Sequence, residues 1–130
     1  MIYFDMIRVV VDATKPRAEK LEKFGRTVNL GRGLNIIAGD NTSGKTSLAK
    51  CLYYILGVEE IIDGKQNTLA MDRSVYQSFM YTDDEGTNIS MQVENSYVIA
   101  QLSNNKGEII TVKRFVKYQN DKEFKRAVVS

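Results

Sequence analysis

Gly39-Asp40-Asn41-Thr42-Ser43-Gly44-Lys45-Thr46 sets two glycines around four residues and follows the second with a lysine and a threonine. Before it stands Leu34 to Ala38, an apolar run short enough and rich enough in Ile for a strand covered on both faces. After it, Leu48, Cys51, Leu52, Ile55 and Leu56 recur at three- and four-residue intervals, which predicts a helix over Thr46 to Leu56 with Gly57 as the left-handed residue at its end. Strand, GxxxxGK[ST] loop and helix together form the context in which successive backbone amides curl around a polyanion at a helix N-terminus. Gly39, Asp40, Asn41, Thr42, Ser43, Gly44, Lys45, Thr46 and Ser47 are therefore the candidate phosphate-holding residues. Lys45 is the candidate catalytic residue, reaching the β- and γ-phosphates, and the Thr46 hydroxyl is the candidate ligand for Mg²⁺.

The rest of the chain limits the alternatives. At 130 residues and 43% hydrophobic, it is expected to form a single lobe with a real core rather than a disordered segment. Eighteen basic and 16 acidic residues leave a net charge of +2, too small for a nucleic-acid partner to be argued on bulk charge. Cys51 is the one cysteine and there is no histidine, so neither an internal disulfide nor a zinc site can be built, and a reducing, cytoplasmic setting is expected. Met1 to Val11 carries Asp5 and Arg8 and lacks a basic leader, which makes it an opening strand rather than a targeting signal.

That strand is expected over Ile2 to Val11, ended by Thr14, Lys15 and Pro16. Ala18, Leu21 and Phe24 at helical spacing predict a short surface helix or helical turn from Arg17 to Phe24, followed by a strand over Arg26 to Leu30 and a Gly31-Arg32-Gly33 turn. Val58 to Arg73 is expected to be irregular. Beyond it, Ser74 to Tyr81, Thr87 to Val93, Tyr97 to Leu102 and Glu108 to Val116 are β-type runs, predicting an antiparallel meander over 74–116. Its turns are expected at Asp83 to Gly86, at Glu94-Asn95 and at Asn104 to Gly107. The tail over 117–130 is polar, a frayed helix or the stump of an element continued elsewhere.

The stretch from Gly33 to Leu48 resembles the N-terminal ATPase segment of the SMC and RecF-like branch of ABC ATPases, with Asn41 and Ser43 the residues that look like this branch. The β-rich Ser74 to Val116 is similar to the antiparallel subdomain that follows the first helix there. The resemblance implies an α/β P-loop NTPase N-terminal lobe: a mixed sheet, one long helix after the phosphate loop and an antiparallel β subdomain. It implies ATP with Mg²⁺, and a complementary C-terminal lobe or second ATPase head as partner, two heads sandwiching ATP. Work on DNA, such as repair, chromosome maintenance or defence against foreign DNA, is implied as well. The family's signature segment and switch histidine are not in this chain, and Leu102-Ser103-Asn104-Asn105 lacks both signature glycines. Hydrolysis is therefore expected only with residues from another lobe or chain. Gln119 is a candidate for the Mg²⁺-sensing glutamine by place alone.

Four competing signals have simpler explanations. Phe79 to Glu85 looks like the apolar strand ending in Asp-Glu that positions Mg²⁺, but Gly86 follows at once and a hairpin turn accounts for it. Asp83 to Gly86 fits DxxG and Asn105-Lys106-Gly107-Glu108 nearly fits the guanine-reading NKxD, yet Glu108 replaces the aspartate and the helices of a GTPase sheet have no room between them. A small-molecule kinase would need an arginine-rich lid, and Arg73 and Arg114 stand singly as surface or strand-edge charges. The basic lean of Lys106, Lys113, Arg114, Lys117, Lys122, Lys125 and Arg126 is diluted by Glu108, Asp121 and Glu123, so a solvated face explains it better than a DNA contact. A non-catalytic nucleotide-binding module that docks on a complementary ATPase subunit is the alternative from a different class.

Overall fold

The computed structural model describes residues 1–17, 20–33, 35, 45–57, 71, 73–117 and 127–129. Their elements are β1 (Ile2–Thr14), β2 (Leu21–Asn29), α1 (Lys45–Ile55), α2 (Arg73–Tyr76), β3 (Ser78–Thr82), β4 (Asn88–Asn104), β5 (Ile109–Lys117) and β6 (Ala127–Val129). Five strands lie side by side as β2-β1-β4-β5-β6, β3 pairs with β4, and every ladder among the described residues is antiparallel. The architecture is mixed α/β with an antiparallel sheet. The mixed sheet expected around Leu34 to Ala38 is not what the described strands form, and that run itself lies outside the described residues apart from Asn35.

β4 organises the sheet. One edge of it pairs with β1 from Gln92 to Asn104, while β3 pairs with Asn88 to Gln92 and β5 with Ser96 to Ser103. Between the β3 and β5 ladders, Lys117 Nζ donates to the Val93 carbonyl at 2.8 Å, giving that acceptor a partner where no strand does. The expected turn at Glu94-Asn95 is instead a β-bulge, since Asp12 pairs with Asn95 and Ala13 with Val93, leaving Glu94 unopposed. An extra residue flips the alternation, and the buried positions accordingly run Met91, Val93, then Ser96, Val98, Ala100. That phase change splits the apolar pattern into two short runs in the sequence, while the backbone continues as one 17-residue strand.

The helix expected over Arg17 to Phe24 is corrected as well. Leu21–Asn29 is strand β2, paired with β1 from Thr14↔Leu21 to Met6↔Asn29. An eight-residue helix is marginal alone, whereas a strand laid against β1 pairs the backbone groups that face it, and alternation sends Phe24 and Val28 to the core. Phe24 then meets Phe79 and Tyr81 of β3 at centroid distances of 5.1 and 5.5 Å, joining strands that are not neighbours in the ladder. Ser74 to Tyr81 is not one β run, because α2 makes a single turn with Gln77 N donating to the Arg73 carbonyl before β3 begins. In the tail, residues 127–129 add strand β6 to the edge of β5.

α1 covers the inward face of this sheet, packing on β1, β4 and β5. Ile7, Val11, Ala13, Met91, Val93, Val98, Ala100 and Val116 from the sheet close against Cys51, Tyr54 and Ile55 from the helix. Burying each large aliphatic side chain there contributes about 1.5–3 kcal/mol. Cys51 is thus a small core residue, 2% exposed, and Tyr54 is fully buried.

Candidate nucleotide-binding site

Of the candidate phosphate-holding residues, Lys45, Thr46 and Ser47 open α1, and Gly39, Asp40, Asn41, Thr42, Ser43 and Gly44 lie outside the described residues. α1 extends 11 residues with no acidic residue in its first turn. The positive end of the helix dipole at Lys45 therefore meets no carboxylate from that turn, a favourable setting for an external anion. Lys45, Thr46 and Ser47 are the residues at this end that could hold a polyphosphate with a hard cation.

The far end of α1 is closed. Gly57 has φ 74° and its N–H donates to the Tyr54 carbonyl at 3.0 Å, as expected for a left-handed helix terminus. Arg114 Nη1 donates to the same carbonyl, so a cation stands at the negative end of the dipole. Arg114 is thus no strand-edge surface charge. It shares the inward face of β5 with Val116, and its sequence neighbours carry no signal that foretells this.

The approach to the loop is pinned too. Leu30 N–H donates to the Asp5 carbonyl at 2.9 Å. Asn35 Nδ2 donates to the Gly31 carbonyl at 2.7 Å and its Oδ1 accepts from Gly31 N–H at 2.9 Å, so one side chain closes the Gly31 to Gly33 turn, where Gly33 has φ 91°. The Arg32 guanidinium lies 4.5 Å over the Tyr3 ring, with Nη2 3.4 Å from both Ser103 Oγ and the Asn104 carbonyl.

The competing acidic candidates resolve into hairpins. Asp83 Oδ1 accepts from Glu85 N–H at 3.0 Å and Thr87 N–H at 2.8 Å, and Gly86 has φ 81°. That carboxylate is consumed in shaping its own turn. Asn104 does the same in the second hairpin, its Oδ1 accepting from Lys106 N–H at 2.9 Å and Glu108 N–H at 3.1 Å, with Gly107 at φ 81°. Asn105 to Glu108, the near match to a guanine-reading motif, is a turn between β4 and β5. Among the described residues no group of three or more His, Cys, Asp or Glu side chains gathers into a metal-holding cluster.

Nor do the described basic residues of the last quarter form one solvated face. Lys113 Nζ sits 4.1 Å over the Tyr97 ring and 4.8 Å over Phe115, Arg114 turns inward, and Lys117 serves Val93. Lys122, Lys125, Arg126 and the candidate Gln119 lie outside the described residues. No helix of the described residues is long and apolar enough to cross a membrane.

Comparison with curated proteins and with solved structures finds no match. A family profile described as AAA domain matches residues 21–127, a span that holds the whole phosphate-loop motif, α1 and β2 to β5. Such domains are ATPase-like and nucleotide-binding, typically with Mg²⁺. Because the match covers well over half of the chain, the protein belongs to the AAA domain family.

Proposed function

We propose that this chain binds ATP with Mg²⁺ at Gly39 to Ser47 and is the N-terminal lobe of an SMC or RecF-like ATPase. The observation that carries this is the coincidence of a complete GxxxxGK[ST] motif with a helix that begins at its lysine and bears no acidic residue in its first turn. Lys45 would neutralise the outer phosphates, the amides from Asn41 to Thr46 would hold their oxygens, and Thr46 would hold Mg²⁺, which supplies charge neutralisation across the phosphates. Calorimetric titration with Mg-ATP tests it: saturable binding in the parent chain that is lost in Lys45→Ala supports the assignment, and no binding by the parent refutes it.

Hydrolysis, in this proposal, is completed by a complementary lobe or a second head. The acidic candidate at Asp83 to Glu85 is occupied with its own hairpin, and the chain holds neither a signature segment nor a histidine. Tyr53 near the end of α1 and Leu56 just past it remain 38% and 54% exposed, which favours docking of a further layer at this end of the helix. The same exposure supports the second reading, a non-catalytic module docking on a complementary ATPase subunit. Turnover separates them: ATP hydrolysis on mixing with the partner lobe favours the ATPase, and binding without turnover in the assembled complex favours the module. A cytoplasmic role in DNA repair, chromosome maintenance or defence against foreign DNA belongs to the same proposal and rests on the resemblance of Gly33 to Leu48.

A further inference from the structure

Tyr54 is held by two successive residues of β5 in three different ways. The Arg114 guanidinium lies 4.0 Å from the centre of its ring, Arg114 Nη1 donates to its carbonyl, and its own hydroxyl donates to the Phe115 carbonyl at 2.7 Å. A stack, a bond to the main chain and a bond from the side-chain tip restrain tilt, rotation and translation of the helix end together. Arginine is the residue that can stack and donate at once, because its planar fork presents a face and an edge, where a lysine ammonium offers a single charged point.

We infer that Arg114 is a positioning residue for the first turn of α1, Lys45 to Ser47, acting through the helix from its opposite end. The inference rests on the proposal that Lys45 to Ser47 hold phosphates. Nine residues at 1.5 Å each separate Tyr54 from Lys45 by about 13.5 Å, so a tilt of about 5° pivoting at Tyr54 swings the N-terminus of α1 by about 1.2 Å. Groups that hold a reacting ligand must stay within about 0.5 Å of their working positions. A slack C-terminal anchor is therefore amplified at Lys45 to Ser47, where the phosphates would sit.

The test compares Arg114→Lys and Arg114→Gln with Asp83→Ala, a substitution at a hairpin tip that lowers stability without touching α1. In the full chain without nucleotide, the backbone amide resonances of Lys45, Thr46 and Ser47 are expected to shift in the Arg114 variants and stay in place in Asp83→Ala. With Mg-ATP, the dissociation constant is expected to rise about five- to tenfold in Arg114→Lys and to hold at the parent value in Asp83→Ala. Unmoved amide resonances in Arg114→Lys, or equal movement in Asp83→Ala, overturns the inference. Absence of Mg-ATP binding by the parent overturns the nucleotide assignment instead, and the resonance comparison still decides the role of Arg114. Should Arg114→Gln fail to fold, Arg114→Lys, which keeps the charge, carries both measurements.

Discussion

Removing one hydroxyl from the core is expected to stabilise this protein, while removing another is expected to weaken it. Ser96 lies just past the bulge in β4, paired with Val11 and Lys117, fully buried, and its Oγ has no hydrogen-bond partner among the described residues. An unpaired buried hydroxyl costs about 1–3 kcal/mol in desolvation, against a few tenths of a kcal/mol of dispersion attraction from a single oxygen atom, so Ser96→Ala is expected to gain about 1 kcal/mol. At about 2.1 cal/mol/K per residue, the unfolding entropy of a chain this size makes 1 kcal/mol worth about 4 °C in Tm. Tyr54→Phe is the matched comparison, because its hydroxyl does have a partner in the Phe115 carbonyl; losing it is expected to cost about 1–2 kcal/mol. Thermal unfolding followed by circular dichroism, with urea titrations to confirm an unchanged slope, reads both. A Tm for Ser96→Ala that equals or falls below the parent's would refute the reasoning, because it would mean that the hydroxyl is satisfied, for instance by a buried water.

Lys45→Ala is expected to raise the Mg-ATP dissociation constant about a hundredfold or more while leaving Tm within about 2 °C, since it removes the ammonium proposed to neutralise the outer phosphates; titration calorimetry and thermal unfolding check the two halves. Gly25→Ala is expected to destabilise by about 1–3 kcal/mol, because a Cβ there would lie 2.8 Å from the Val9 carbonyl oxygen, a backbone atom held in the β1–β2 ladder; a denaturation midpoint equal to the parent's would count against that clash. Asp83→Ala is expected to cost about 1 kcal/mol and Asp83→Asn almost nothing, since Asn104 performs the same two-amide closure in the other hairpin; urea midpoints for the pair decide it.

Much of the architecture is local in origin and therefore legible in the residues. α1 follows from Leu48, Cys51, Leu52 and Ile55 at helical spacing with Gly57 behind them, and its observed span of Lys45–Ile55 differs from expectation by one residue at each end. The hairpins at Asp83 to Gly86 and Asn104 to Gly107 follow from an Asx side chain that closes the turn and a glycine that accepts positive φ. The candidate site is a local feature too, a run of residues on whose order the proposed phosphate-holding chemistry rests, and the AAA domain match spans it.

Partners distant in sequence decided the rest. Leu21 to Phe24 has helical spacing, yet a long neighbouring strand with free backbone groups made extended pairing the better use of those residues. Met91 to Val98 looks like two strands because a bulge inverts the alternation, and only the opposing Asp12 and Ala13 show that the chain never turns. Arg114 reads as a lone surface charge until the end of α1, 60 residues earlier, is laid beneath it. Spacing along a chain encodes what a residue does to its own backbone; what it does for another element depends on register and crossing, which exist only after the sheet and helix have packed.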